Sequence, residues 1–173
     1  MLALLSVYLV AIFTQYTYAQ VVRFARTYGG TYDDWASSVQ QTSDGGYIVA
    51  SWTYSFGAGS WDIFLIKTDA SGNIIWAKTY GGTYSDWANS VQQTSDGGYI
   101  VAGGTYFPGA DFDIFLIKTD ANGNLQWAKT YRGAAHDEAY SVQQTSDGGY
   151  IVAGWISSFG AGDFDIFLIK TDA

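Results

Sequence analysis

The chain has 173 residues, of which 48% are hydrophobic, 18% aromatic and only 14% charged, so it is too apolar for an intrinsically disordered protein. Its net charge of −8 argues against non-specific nucleic-acid binding, which needs clustered cations. The absence of cysteine excludes disulfides and thiolate metal ligands, and the single histidine excludes a metal site built from several histidines.

The first 19 residues differ from the rest of the chain. Residues 1–13 (MLALLSVYLVAIF) are nearly all apolar, and a short polar stretch then ends in Thr17-Tyr18-Ala19. Small residues at Thr17 and Ala19 are typical of a signal-peptidase site, so we predict a signal peptide over 1–19 and a mature domain over 20–173. The alternative is an uncleaved anchor, but this apolar run is short against the roughly 20 residues that span a bilayer. We therefore expect an extracellular or cell-surface protein with no stable membrane span after cleavage.

The mature region contains segments that recur without change about every 52 residues. The sequence SVQQTSDGGYIVA occupies 38–50, 90–102 and 141–153, and DIFLIKTDA occupies 62–70, 113–121 and 165–173. A fixed period of this length indicates a propeller or another repeat array.

The first complete repeat predicts four strands, over Ser38–Thr42, Tyr47–Trp52, Trp61–Thr68 and Ile74–Tyr80. The first and last pairs of strands are joined by turns rich in Asp and Gly, because glycine accepts a positive φ without steric cost. The third strand is apolar on both faces, which is typical of a strand covered from both sides. Residues 22–28 align with the fourth strand, and the chain ends after a third strand. The N-terminal strand could therefore complete the C-terminal set.

These segments resemble the propeller repeats of secreted and cell-surface proteins of archaea and bacteria. The resemblance rests on the patterns DGGYIVAG, DxFLIKTDxxGN and WxKTYGGxxxD and covers about residues 21–173. It implies an all-β protein, a β-propeller of four-stranded antiparallel blades, here with three repeats. Thr42-x-Asp44-x-Gly46 also resembles the first half of the Asp-box of sialidase propellers, which in that family is a hairpin turn and not the catalytic site.

Three blades make an unusual propeller. Blades in a closed ring of three would diverge by about 120°, whereas packed sheets prefer mean directions within about 30° of each other. Propellers typically contain four to eight blades. Three possibilities stay open: self-association that completes a propeller, such as a dimer with six blades; a chain that is part of a longer one; or a three-fold β-trefoil or β-prism.

Aromatic residues are the candidate ligand contacts, because exposed Trp and Tyr side chains can stack on sugars. The Trp residues near predicted strand ends are the preferred candidates, namely Trp35, Trp52, Trp87 and Trp155. The competing interpretation is burial in the core, which large aromatic side chains favour.

Acidic residues supply the remaining candidate sites. Calcium needs several converging oxygen ligands, and the candidates are Asp111, Asp113, Asp163 and Asp165. The turns Asp69-Ala70-Ser71-Gly72-Asn73 and Asp120-Ala121-Asn122-Gly123-Asn124 also resemble calcium-binding loops, with the alternative that their Asp and Asn side chains bond the amides of their own turns. The densest titratable cluster, His136-Asp137-Glu138, offers a histidine beside acids as a general base, with drift of a surface loop as the alternative interpretation.

Near-identical repeats suit a repetitive surface better than an asymmetric active site. We therefore expect a module for binding, adhesion or scaffolding, with a glycan or a surface protein as partner. We expect no catalysis and no cofactor, with Ca²⁺ as the alternative. The alternative function is an extracellular hydrolase or lyase that acts on polysaccharides from a propeller scaffold.

Overall fold

The computed structural model describes residues 22–108, 111–160 and 162–173. This part of the chain is all-β, which confirms the predicted class, and it forms eleven strands in three antiparallel sheets. None of it forms a helix long and apolar enough to cross a membrane. The signal peptide predicted over 1–19 lies outside the described residues.

The strands follow chain order within each sheet. The first sheet comprises β1 (Asp34–Gln41), β2 (Tyr47–Thr53), β3 (Asp62–Thr68) and β4 (Ile74–Tyr80). The second sheet comprises β5 (Asp86–Gln93), β6 (Tyr99–Tyr106), β7 (Phe112–Thr119) and β8 (Leu125–Tyr131). The third sheet comprises β9 (Asp137–Gln144), β10 (Tyr150–Ile156) and β11 (Asp165–Thr171). The sheets are therefore up-and-down meanders, and a closed ring of sheets is not found in the described residues.

The first strand of each sheet begins earlier than the sequence predicts. In the first sheet, β1 starts at Asp34 rather than Ser38, because pairing with β2 continues across a register shift between Ala36 and Ser38. A bulge of this kind adds one residue to one strand and lets the ladder resume beyond it. As a result, Asp34 and Trp35 are the first residues of a strand and not part of the preceding loop.

The turn between the first two strands of each sheet is fixed by one repeated arrangement. Gly45 adopts a φ of +83°, which a residue with a Cβ rarely accepts. The Asp44 carboxylate accepts a hydrogen bond from the Gly46 amide and forms a 2.8 Å ion pair with the buried Lys67 on β3. The same pair recurs as Asp96 with Lys118 and as Asp147 with Lys170. The turn chemistry therefore ties the first hairpin to the third strand.

Two apolar cores lie between neighbouring sheets. The first contains Ile48 and Leu65 of the first sheet packed with Tyr99 and Val101 of the second. The second lies between the second and third sheets and includes Ile100, Leu116, Tyr150 and Val152. Alternate residues of β6 and of β7 thus enter different cores, which explains why these two strands of the second sheet have no polar face.

Residues 22–28 are not part of a sheet in the structure, although the sequence predicts a strand there. They lie against the first sheet, where Phe24 contacts Tyr47 and the Tyr28 hydroxyl donates a hydrogen bond to the Gly72 carbonyl. The third sheet accordingly has three strands and not the fourth that the N-terminal segment was expected to supply.

Candidate ligand-binding edge

All four candidate Trp residues lie at the same end of their sheets. Trp35 and Trp87 are the second residues of β1 and β5, and Trp52 and Trp155 are the next-to-last residues of β2 and β10. Antiparallel pairing places the start of one strand beside the end of the next, so Trp35 is directly opposite Trp52. We call this end, which carries the loops from β2 to β3, β6 to β7 and β10 to β11, the loop edge.

The first sheet carries a preassembled aromatic group at the loop edge, the rim cluster, which consists of Trp35, Trp52, Tyr54 and Trp61. The Trp35 and Trp52 rings are stacked with their centroids 5.7 Å apart and their planes within 6°. The ring centroids of Trp52 and Trp61 are 5.0 Å apart, and the Tyr54 ring packs edge-on against both of these residues. Trp35 is 61% exposed and Tyr54 is 45% exposed, so the rim cluster presents aromatic faces to solvent.

Trp87 of the second sheet has a different environment, although it is equivalent in sequence to Trp35. Its indole Nε1 donates a 2.6 Å hydrogen bond to Glu138, and its ring lies 4.9 Å from that of Phe112. The residue equivalent to Trp52 is Gly104, and a Cβ placed there would lie 2.2 Å from a Trp87 ring carbon. The glycine therefore makes room for the Trp87 ring, which is half-buried.

The second and third sheets share an aromatic run along the loop edge. The His136 ring lies between Phe112 and Trp155, with centroids 4.3 and 4.9 Å away, and Trp155 contacts Phe164 edge-on at 4.8 Å. The four candidate Trp residues are therefore divided between two groups. Trp35 and Trp52 belong to the rim cluster, whereas the other two belong to the run in the second and third sheets.

The His136, Asp137 and Glu138 side chains do not share a set of partners. Asp137 is buried and accepts a 2.6 Å hydrogen bond from the Ser158 hydroxyl. Glu138 instead accepts hydrogen bonds from Trp87 and Asn89 of the second sheet. Successive strand residues point to opposite faces of a sheet, which separates Asp137 from Glu138. The cluster that is dense in the sequence is therefore distributed over different contacts in the fold.

The candidate calcium ligands are likewise separated by burial. Asp111 and Asp163 are exposed, whereas Asp113 is buried beneath Arg132, whose Nε lies 3.7 Å away. Asp165 accepts a 3.4 Å hydrogen bond from the Gly162 amide. Across the described part of the chain, no group of three or more His, Cys, Asp or Glu side chains is arranged to hold a metal ion.

The acidic turns bond to themselves, as the alternative interpretation of the sequence proposed. Asp69 accepts hydrogen bonds from the amides of Ser71 and Asn73 and from the Asn73 side chain. Asp120 does the same with Asn122 and Asn124. These bonds lower the pKa of both carboxyls, with the Asn side chain and the turn amides as the main cause. Each Asp therefore stabilises its hairpin turn.

A cleft between the first and second sheets contains a feature that the sequence analysis did not assign. Its volume is about 830 Å³, and its wall includes Asp62 and Asp86, both buried. Burial raises the pKa of both carboxyls, and the nearby Asp86 charge raises that of Asp62 further. A Cβ added at Gly81 would lie within 2.7 Å of an oxygen of each. The recurrence of Asp at the start of β3 and β5 was the only sequence signal for this pair.

The comparisons with known proteins leave the family open. No protein-family model matches the chain. The chain is similar to the regulatory protein FlaEY of Caulobacter vibrioides, with 28% identity over 110 residues. That match covers 56% of this chain and 12% of FlaEY, so the chain spans only a small part of that relative's length.

Proposed function

We propose that this chain is a secreted or cell-surface binding module and that its rim cluster recognises a glycan. The observation that carries the proposal is the flat Trp35–Trp52 stack, which leaves Trp35 61% exposed. Large aromatic side chains normally favour burial, so an ordered, exposed stack needs an explanation. A sugar ring has an apolar C–H face and a polar edge, which matches indole rings that pack edge-on against Tyr54, an aromatic residue with a hydroxyl.

The module is proposed to be part of a β-propeller. Three meandering sheets pack in sequence with an apolar core on both faces of the second, as expected for neighbouring blades. The rim cluster would then lie on the face of the propeller that carries its connecting loops. Loops on a rigid scaffold commonly carry binding residues, which supports the assignment of function to this edge.

The extracellular setting rests on the sequence. Residues 1–19 begin with an apolar run and end in Thr17-Tyr18-Ala19, as in a signal peptide. The mature region has no cysteine, which suits an exported protein whose stability depends on packing. A glycan is preferred to a surface protein as the partner, because the rim cluster is a small aromatic platform.

The test is binding of a panel of neutral and acidic oligosaccharides to the full chain, measured by calorimetry. We expect at least one oligosaccharide to bind and the Trp35→Ala variant to bind it at least about fivefold more weakly, since stacking on one aromatic ring is worth roughly 1–3 kcal/mol where it has been measured for nucleic-acid bases. The matched control is Phe159→Ala, which removes an equally exposed aromatic ring outside the rim cluster. Failure of the whole panel to bind, or unchanged binding by Trp35→Ala, would refute the proposal.

A hydrolase or lyase acting on polysaccharides is the second candidate function, and one observation favours it. Asp62 and Asp86 are buried carboxyls with raised pKa on the wall of a cleft large enough for a sugar unit. Their hydrogen bonds to the Ala58 and Gly82 amides suit a structural role equally well, which is why binding is ranked first. Release of product from a polysaccharide panel, lost in Asp86→Asn, would favour the enzyme.

A further inference from the structure

We call residues 22–28 the N-terminal segment. It packs against the first sheet in the same way that β4 packs against the second sheet. Phe24 contacts Tyr47 with ring centroids 5.9 Å apart, and the equivalent contact of Trp76 with Tyr99 is 5.8 Å. The Tyr28 hydroxyl donates to a carbonyl of the next turn at 2.7 Å, as the Tyr80 hydroxyl does at 2.6 Å. The N-terminal segment therefore has the position of the fourth strand of a sheet that would precede the first.

The sheet to which this fourth strand belongs is incomplete in the structure. In the first and second sheets, the third strand pairs with a fourth whose sequence contains Trp-Ala-Lys-Thr-Tyr. The N-terminal segment carries the related Phe-Ala-Arg-Thr-Tyr over 24–28. In the third sheet, β11 is the last strand among the described residues. Among the described residues, one fourth strand is thus without its sheet, and one sheet is without a fourth strand.

The exposed face of β11 shows what the missing neighbour would cover. Leu168 is 68% exposed, whereas Leu65 and Leu116, at the same place in the identical sequence DIFLIKTD, are fully buried. Ile166 is 90% exposed. The equivalent leucines are covered by the sheet that follows each in sequence. The outer face of the third sheet is therefore an apolar surface with the chemistry of a sheet-to-sheet interface.

The opposite end of the molecule presents the complementary surface. Val39 on the outer face of the first sheet is 65% exposed, whereas its equivalents Val91 and Val142 are 6% and 3% exposed. Val91 and Val142 are buried because a preceding sheet packs over them. The two exposed faces are thus the two halves of a contact that the chain forms twice within itself.

Polar groups along the first strands follow the same pattern. The Gln93 amide donates a 2.6 Å hydrogen bond to the Gln40 side chain, and the Gln144 amide donates one of the same length to the Gln92 side chain. Gln143 on the third sheet and the Gln41 amide on the first hold the corresponding positions on the two outer faces. Each outer face therefore carries polar as well as apolar groups suited to the other.

We propose that two copies of this chain associate head to tail, with the N-terminal segment and first sheet of one copy covering β11 of the other. The N-terminal segment then pairs with β11 in the register that β4 uses with β3, which places Tyr28 opposite Ile166 and Phe24 opposite Lys170 of the other copy. Two such contacts close a ring of six sheets, within the usual range for propellers. Closure within one chain would need three sheets to diverge by about 120°.

The first test measures the mass of the full chain in solution by light scattering. We expect the wild type to have twice the mass of one chain, and the Leu168→Asp and Val39→Asp variants to have the mass of one chain. Both substituted side chains are exposed in a single copy, so circular dichroism should show that the variants keep the fold. The matched control, Leu125→Asp, changes an exposed leucine on β8 away from both outer faces and should stay dimeric. A monomeric wild type, or dimers of both outer-face variants, would overturn the proposal.

Mixing the two outer-face variants tests the head-to-tail geometry. A mixed pair retains one unmodified contact, between the intact β11 face of Val39→Asp and the intact first sheet of Leu168→Asp. We expect the mixture to recover a one-to-one dimer. Failure to recover it would contradict a head-to-tail contact, because a contact between like faces gains nothing from mixing.

A cross-link distinguishes a second copy from closure within one chain. The chain has no cysteine, so the double variant Ala25→Cys, Ile169→Cys, at positions expected to pair, has only the introduced thiols. We expect oxidation to give a reducible species of twice the chain mass. An internal cross-link within a single chain would overturn the proposal. These readouts do not involve a sugar, so they are independent of the proposed glycan binding.

Discussion

Leu116 and Leu168 allow the packing argument to be tested with the same substitution in the same local sequence. Leu116 is fully buried between the second and third sheets, and its replacement by Ala should cost about 3 kcal/mol of unfolding free energy, within the usual range of about 2–5 kcal/mol. Leu168 is 68% exposed, so it gains only about a third of the roughly 1.5–3 kcal/mol that full burial of a leucine provides. Leu168→Ala should therefore lower the free energy of unfolding by about 1 kcal/mol or less.

Urea unfolding followed by circular dichroism measures both losses, in the Val39→Asp background so that no second copy covers β11. Losses within about 0.5 kcal/mol of each other, the scale of a typical surface substitution, would refute the assignment of the two environments. In the unmodified background, a second copy would bury Leu168. The cost of Leu168→Ala should then increase with protein concentration, whereas that of Leu116→Ala should not.

Two further substitutions test the charges. Replacing Asp62 by Asn should stabilise the protein at pH values above the ordinary Asp pKa of 3.8, because burial raises the folded-state pKa and the wild type loses stability as the carboxyl is forced to ionise. A pH-independent difference in unfolding free energy between the variant and the wild type would contradict this. Lys118→Met should cost about 2–3 kcal/mol, since the buried ammonium donates to Asp96, to the Thr119 carbonyl and to Gln126. Lys129→Met, at an exposed position, is the control in the same urea titration, and equal losses would argue against the buried network.

The strands and turns could be predicted from the sequence because their causes are local. The glycine at 45 and the alternating or two-faced apolar runs each act within a few residues. The early start of β1 could not be predicted, because it depends on a bulge opposite Ser51 and Ala50 of the partner strand. Pairing across strands decides such boundaries, and the local pattern of one strand does not contain that information.

The candidate site could be predicted only in part, for a related reason. The positions of the four Trp residues at one end of the sheets followed from strand order. Their division into two groups did not, since it depends on Gly104 making room for Trp87 and on Glu138 accepting its indole hydrogen bond from a different sheet. The buried pair of Asp62 and Asp86 likewise arises from packing between sheets, which no period in the sequence specifies.

The turns between the first and second strands are identical in the three sheets, whereas the loop edges differ, and this contrast bears on function. The turns that contain Thr-Ser-Asp-Gly-Gly and the following Lys-Asp pairs are the same in all three. At the loop edge, Trp35 is replaced by Trp87 and then Glu138, and Trp52 by Gly104 and then Trp155. Identical turns are explained by identical hairpin geometry. Different side chains on matching backbones give each sheet its own surface, so a ligand that touches the loop edge meets a distinct set of groups on each sheet, whereas a partner that covers the outer faces meets the same contact that already joins the sheets.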